Sequence, residues 1–230
     1  MRRVLSNFLL VVLMLSPLLA FSTAQRRDIL VLKGKKYSIF TNPLRPFLDR
    51  NPGRLPESNI ISTSNWRGYV ATWEVKNDRL VLTDVGMLQS VGKPNEVSPS
   101  TEIRSVMAKM FPDQNEVLAD WFTGNIIIPD GELVSYVHMG YASTYSKYII
   151  LQVKNGVITR NWTSENAEFI KFRDAQFAAF KKTDKYRNAM EKMNNEQKKG
   201  EGRNSKQNED FLREFYSEEY MSTIFDETHQ

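Results

Sequence analysis

The stretch ADWFTGNIIIPDGELVSYVHMGYASTY, residues 119–145, holds the side chains in this sequence that are best suited to chemistry. It contains His138, one of two histidines in the chain, together with two aspartates, a tryptophan and three tyrosines. A neutral imidazole can act as a general base that Asp120 orients. A hydroxyl can then serve as acid or nucleophile, from Tyr141, Ser143 or Tyr145. The stretch therefore predicts, as one of two function classes, a hydrolase.

Packing gives a second interpretation of the same stretch, and we favour it. On a strand over Leu133–Met139 the side chains alternate, so that His138 shares a face with Val134 and Tyr136. A histidine at a strand end is commonly a hydrogen-bonded packing residue. The second function class is therefore a non-catalytic binding or interaction protein, in which an aromatic and polar patch receives a ligand or partner. The candidate ligand-binding residues are Asp120, Trp121, His138, Tyr141 and Tyr145.

Metal and cofactor chemistry is not indicated by the sequence. A zinc enzyme generally needs three protein ligands, whereas this chain has no cysteine and only two histidines, of which His229 lies next to the C-terminus. The sequence shows no Walker loop, dinucleotide fingerprint, HExxH motif or Gly-x-Ser-x-Gly motif. We therefore expect no metal and no cofactor.

The first 24 residues predict a signal peptide. Arg2 and Arg3 form a basic region, residues 8–21 an apolar region, and Ser22-Thr23-Ala24 a small-residue cleavage site. The apolar run is shorter than the roughly 20 residues that span a bilayer. We expect cleavage before Gln25, no stable membrane anchor afterwards, and a periplasmic or extracellular destination.

Residues 25–162 predict a β-rich domain. Alternating apolar segments flank four turn signals, which are Lys33-Gly34-Lys35, Asn77-Asp78, Asp130-Gly131 and Asn155-Gly156. Between the second and third, the apolar residues of STEIRSVMAKMF recur at helical spacing. The expected fold class is α+β, mainly β, with antiparallel hairpins that form a sheet, sandwich or partly closed barrel. One helix packs on it, and a C-terminal helical extension follows.

The pattern changes after Trp162. Thr163 or Ser164 can cap a helix over residues 163–193, in which apolar side chains recur at spacings of three or four. Residues 194–210 contain no large apolar side chain and predict a flexible linker. Residues 211–230 predict a short acidic amphipathic helix.

The segments WRGYVATWEV, LADWFTGNIIIPDGELVSYVHMGYAS and VKNGVI resemble a pattern of uncharacterised bacterial proteins, over roughly residues 29–160. The resemblance carries no known activity and implies one inherited unit and a bacterial cell envelope. The formal net charge of +4 is modest, so no nucleic acid is expected as a partner. We expect an exported binding or interaction protein whose partner is an unknown small ligand or an envelope protein.

Overall fold

A computed structural model describes residues 26–58, 60, 62, 65–91, 100–136, 143–198 and 203–225. The predicted signal peptide lies outside these residues, as do His138, Tyr141 and His229. The described chain forms a nine-stranded mixed sheet, which is not closed, and six helices. The predicted fold class, mainly β with a C-terminal helical extension, is confirmed.

The strands join into a single sheet in the order β2-β1-β3-β4-β9-β8-β7, with β5 and β6 also paired to β4. The pairing of β1 with β3 is parallel, and the other pairings are antiparallel. The strands are β1 Ile29–Leu32, β2 Lys35–Ser38, β3 Val70–Lys76, β4 Arg79–Val91, β5 Ser100–Ser105, β6 Val117–Leu118, β7 Gly124–Ser135, β8 Thr144–Lys154 and β9 Val157–Glu165.

Three of the four predicted hairpins are confirmed, namely β1–β2, β3–β4 and β8–β9. A two-residue turn of the type that follows the twist of two antiparallel strands needs positive φ at both residues. The three turns meet this requirement, at Lys33 (50°) and Gly34 (78°), Asn77 (49°) and Asp78 (56°), and Asn155 (48°) and Gly156 (75°).

The fourth predicted turn, Asp130-Gly131, is wrong. Strand β7 runs through both residues, and its pairing with β8 shifts between Asp130 and Leu133. Three steps along β7 there match two steps along β8, from Lys147 to Tyr145, so β7 carries one extra residue. Gly131 has φ 76°. An Asp-Gly pair supplies positive φ to a bulge as readily as to a hairpin turn, and the sequence does not separate the two.

The helices are α1 Arg45–Arg50, α2 Met107–Met110, α3 Asn166–Phe180, α4 Asp184–Lys198, α5 Ser205–Phe215 and α6 Ser217–Ser222. The helix predicted between the second and third turn signals is wrong over its first half, which forms β5. Ile103 lies there opposite Leu88 of β4. Its apolar spacing matched a helix, but pairing with the long strand β4 overrides this local preference.

The C-terminal region is helical, with boundaries that differ from those expected. Strand β9 continues to Glu165, so α3 begins later than the predicted cap at Thr163 or Ser164. Helix α4 extends to Lys198 and α5 begins at Ser205, so both enter the stretch predicted as a linker. Among the described residues, no helix has the length and apolar character needed to cross a membrane.

Apolar side chains cover both faces of the sheet and form two clusters. The first cluster lies on the inner face, around Leu30, Trp73, Leu82, Ile126 and Leu151. The ends of the strand order come together around this cluster, because Phe40, just after β2, donates from its backbone N to Ile127 O of β7 at 2.7 Å. The sheet therefore wraps its own inner core.

The second cluster lies on the outer face of β7 and β8, where the C-terminal helices cover it. Tyr148 of β8 stacks on Phe169 of α3, with 3.5 Å between the ring centroids. Phe177 of α3 packs on Tyr220 of α6 at 5.3 Å. All four rings are buried. The helical extension thus completes a core that the sheet alone leaves open.

Candidate functional site

A cavity of about 880 Å³ lies on the inner side of the sheet, between β1–β3 and β8–β9. Strand alternation places its walls: Ile149 and Leu151 alternate with Tyr148 and Ile150, which face the second cluster. Asn161 and Thr163 of β9, opposite Leu151 and Ile149 of β8, are polar parts of one wall. The apolar lining residues are Leu32, Tyr37, Val75, Ile149, Leu151, Ile158 and Trp162. The cavity is therefore a gap at the edge of the first cluster, with mainly apolar walls.

The cavity exists because the two halves of the sheet are joined by a short ladder. Strand β4 pairs with β9 at one register position, Arg79 with Val157. Strand β3 belongs to one half of the sheet and β8 to the other. These two strands are not neighbours in the sheet, so no backbone pairing joins them directly. The space left between them is lined by side chains from both halves, such as Val75 and Ile149.

Polar residues surround the mouth of the cavity, among them Lys33, Lys35 and Asp78, which are exposed. Lys35 Nζ lies 4.5 Å from the ring centroid of Tyr37 and 3.6 Å from Asp130 Oδ1. The Tyr37 hydroxyl, and then the charge of Asp130, raise the pKa of Lys35. Lys35 therefore stays protonated at neutral pH, with Asp130 as a nearby counter-charge at the mouth.

A buried polar network lies elsewhere, beneath the N-terminal end of β1. Asp28 is fully buried. Its carboxylate accepts hydrogen bonds from Ala71 N at 3.1 Å, from Trp73 Nε1 at 3.2 Å and from Arg67 Nη1 at 3.2 Å. The Arg67 side chain is 3% exposed, so the ion pair is removed from solvent. An ionised carboxylate tolerates such burial only when it is paired and hydrogen-bonded.

The network continues from Arg67 to the C-terminal helices. Arg67 Nη2 donates to Arg26 O at 2.6 Å, and Nη1 also donates to Asn42 Oδ1. Asn42 Nδ2 in turn donates to Glu218 Oε1 on α6. We call the set of Asp28, Arg67, Asn42 and Glu218 the Arg67 network. It connects the segment before β1, the loop before α1, the loop before β3 and α6.

Two acids share one guanidinium in the Arg67 network. Burial raises the pKa of Asp28, and the charge of Arg67 opposes this rise. Burial also raises the pKa of Glu218, against the opposing effects of Arg67 and of the hydrogen bond from Asn42. Since Asp28 is fully enclosed by protein groups, the network joins elements of the fold and offers no open position for a substrate.

The structure places two of the candidate residues, Asp120 and Trp121, just before β7. Asp120 is exposed. Trp121 belongs to the edge of the first cluster: its Nε1 donates to Pro43 O at 3.0 Å, and its ring lies 4.8 Å from that of Phe47. Trp121 thus has a packing role that accounts for its burial.

Tyr145 lies at the other end of the β7–β8 ladder. It is opposite Leu133, whereas Gly124, at the start of β7, is opposite Val153. Its hydroxyl accepts from Arg27 Nη1 at 3.2 Å, and its ring packs against Phe40 at 5.9 Å. The structure does not bring Tyr145 together with Asp120 or Trp121. His138 and Tyr141 lie outside the described residues.

The Arg67 network is not predicted by any sequence pattern. Its members are single charged or polar residues, separated by 39 positions between Asp28 and Arg67 and by 176 between Asn42 and Glu218. The available signal was the acid directly before the apolar run of β1, because an aspartate next to a buried strand needs a partner. The cavity was not predicted either, because the pattern of its apolar lining residues is the same as that of any half-buried strand face.

No protein-family model, curated protein or solved structure matches this chain. The resemblance to uncharacterised bacterial proteins accordingly stays a prediction. In the described part of the chain, no group of three or more His, Cys, Asp or Glu side chains is placed to hold a metal ion. The geometry of the inner cavity is the starting point for function.

Proposed function

We propose that this chain is a binding protein whose inner cavity holds a small molecule with an apolar body and an anionic end. The observation that carries the proposal is the combination of mainly apolar walls with Lys33 and Lys35 at the mouth of a cavity of about 880 Å³. Binding sites for small molecules are typically concave and mostly apolar, with a few polar groups that fix orientation, and their volumes run from about 300 to 1,000 Å³.

The lining residues favour one orientation of such a ligand. Its apolar part contacts Ile149 and Leu151 on one wall and Leu32 on the other. Its anionic end lies near the two lysines. Each buried methylene contributes about 0.8 kcal/mol, so a chain of about ten methylenes supplies roughly 8 kcal/mol before the cost of ordering the ligand. A dissociation constant in the micromolar range or weaker follows.

The proposal includes no catalysis. The hydrolase alternative depends on His138, which lies outside the described residues, and it stays a prediction. The proposed location in the bacterial cell envelope rests on the predicted signal peptide. A carrier or sensor of amphipathic anions is a binding role compatible with that location.

The test uses dodecanoate as the anionic probe and dodecanol as its uncharged counterpart, with isothermal titration calorimetry on the full chain. Ile149→Trp fills the cavity and should weaken dodecanoate binding at least tenfold. The control is Val134→Trp, at an exposed position of β7 that does not line the cavity, and it should bind like the unaltered protein.

The charge is tested by the double change Lys33→Ala and Lys35→Ala. It should weaken the binding of dodecanoate several-fold and leave that of dodecanol unchanged. The control is Lys147→Ala, an exposed lysine of β8 outside the cavity. Absence of binding of either probe, or undiminished binding to a folded Ile149→Trp variant, would contradict the proposed function.

A further inference from the structure

A second cavity, of about 250 Å³, lies between the far end of the β7–β8 ladder and the C-terminal helices. It shares no lining residue with the inner cavity. Strand β7 contributes Ser135, β8 contributes Thr144, and α6 contributes Ser217, while Ser143 lies just before β8. Two arginines also line it, Arg173 of α3 and Arg213 of α5. Hydroxyl and guanidinium groups therefore come together here from one end of the sheet and from three helices.

Arg173 lines this cavity with a hydrogen-bond donor that no protein group satisfies. Its Nε is buried and has no hydrogen-bond acceptor in the structure. The nearest carboxylate oxygen, Asp174 Oδ1, lies 4.0 Å from Nε, too far for a hydrogen bond. The same oxygen accepts from Arg213 Nη2. A buried donor without an acceptor destabilises the folded protein, so a group that supplies an acceptor is bound favourably.

Two acids, Glu214 in the lining and Asp174 beside it, balance the two arginines at the cavity, so an anion is favoured by the unused Nε donor of Arg173 and not by an excess of positive charge. Arg173 and Arg213 contribute two positive charges, and Glu214 is the acid among the lining residues. Asp174, adjacent to both arginines, is already engaged by Arg213. A water molecule occupies about 30 Å³, so a single water satisfying the Nε donor would fill a small part of the space. An oxyanion fills more of it and also supplies an acceptor.

We propose that this second cavity binds a small oxyanion of the carboxylate or phosphate type. The planar guanidinium of Arg173 offers parallel N–H donors that match the oxygens of such an anion. Thr144 and Ser217 each carry a hydroxyl that can donate a further hydrogen bond or accept one from a protonated ligand oxygen. The site is separate from the inner cavity, so the proposal does not depend on the proposed function.

The experiment measures thermal unfolding of the full chain with inorganic phosphate, acetate or chloride at equal ionic strength. Phosphate or acetate should raise the unfolding temperature in a saturable way, because a ligand of the folded state stabilises it, and chloride should not. The stronger of the two identifies the source of the anion. Arg173→Met should weaken the apparent affinity at least tenfold. The control, Arg160→Met, removes an exposed arginine of β9 outside the cavity and should leave binding unchanged.

A second variant guards against a folding defect in Arg173→Met. Thr144→Val preserves the shape of the side chain and removes one hydroxyl, so it should weaken anion binding several-fold while the protein stays folded. Saturable stabilisation that both folded variants retain would overturn the proposal. So would a response to phosphate and acetate no greater than the response to chloride, which would mean that water alone occupies the cavity.

Discussion

Arg67 and Arg173 are two arginines with buried polar atoms that the protein treats in opposite ways. Arg67 donates through both terminal nitrogens to groups of the chain itself: the carboxylate of Asp28, the side chain of Asn42 and the carbonyl of Arg26. Arg173 lines a cavity, and its ion pair with Asp174 Oδ1, at 4.0 Å, is long and partly exposed, whereas that of Arg67 with Asp28 is buried. The difference separates a charge that holds elements of the fold together from one that is left for a ligand.

Helix α6 lies between these two regions and contributes to both. Glu218 joins it to the Arg67 network, whereas Ser217 and Tyr220 line the second cavity. The Tyr220 hydroxyl donates to Arg213 O at 2.8 Å, and burial raises its pKa to about 12. It therefore stays protonated at neutral pH and fixes α6 against α5. Substitutions on the side of α6 that joins the Arg67 network should therefore change mainly stability, whereas those on the side of the second cavity should change mainly anion binding.

The largest effect is expected from Arg67→Met. It leaves Asp28 fully buried without a cationic partner, and removing one member of a buried ion pair typically costs about 3–5 kcal/mol. Urea denaturation should show a loss of that size. Arg173→Met, the matched change beside the second cavity, should alter the unfolding free energy by less than about 1 kcal/mol, because its ion pair is partly exposed. Equal losses in the two variants would remove the distinction between the arginines.

An intermediate effect is expected from Trp73→Phe. The change removes the indole N–H donor to Asp28 and part of a fully buried side chain, while Arg67 and Ala71 N continue to donate. We expect a loss of about 2 kcal/mol in the unfolding free energy. Trp121→Phe loses a comparable hydrogen bond, to Pro43 O, at a partly buried position, and should cost less than about 1 kcal/mol. A larger loss of stability in Trp121→Phe than in Trp73→Phe would show that the Arg67 network is not the region more sensitive to losing a hydrogen bond.

The smallest effect is expected from Glu218→Gln, which keeps an oxygen to accept from Asn42 but removes the second acid. The folded-state pKa of Glu218 is raised above 4.5, mainly by burial, against the charges of Arg67 and Arg45. The folded protein therefore binds this proton more readily than the unfolded chain does. Stability from this group is complete below pH 4.5 and is lost as pH rises through the folded-state pKa.

The measurement for Glu218→Gln is urea denaturation of both proteins at several values between pH 4 and pH 7.5. The variant should gain stability relative to the unaltered protein as pH rises across this range. Subtracting the two curves removes the contribution of groups common to both, although Asp28, whose pKa is also raised, lies in the same network. A difference that stays constant with pH would exclude Glu218 as a titrating member of the network.

The hairpins followed from the sequence because their information is local. A short turn and the alternation beside it fix the pairing of neighbouring strands, as at Asn155-Gly156. The bulge at Gly131 and strand β5 did not follow, because both depend on a partner strand. The helical spacing that begins at Ile103 spans a strand and a separate short helix. Local periodicity does not show where one element ends and the next begins.

The candidate site was predicted as one patch because its residues are close in sequence. A long ladder separates such residues: Asp120 and Trp121 precede one end of β7, and Tyr145 lies opposite its other end. The residues that do come together, such as Asn42 and Glu218, are distant in sequence and individually unremarkable. Asn42 and Glu218 meet only because the helical extension packs on the sheet in one particular way. The sequence pattern does not contain that information.

The hydrogen bond between Asn42 and Glu218 also constrains the order in which the chain can fold. It joins residues 176 positions apart, and the parallel pairing of β1 with β3 is itself non-local. Contacts of such separation close large loops and slow folding. Until both α3 and α6 have been synthesised, the outer face of β7 and β8, with Ile127, Tyr148 and Ile150, is not fully covered. The nascent chain thus presents an apolar surface of the kind that chaperones bind and that aggregates when unprotected.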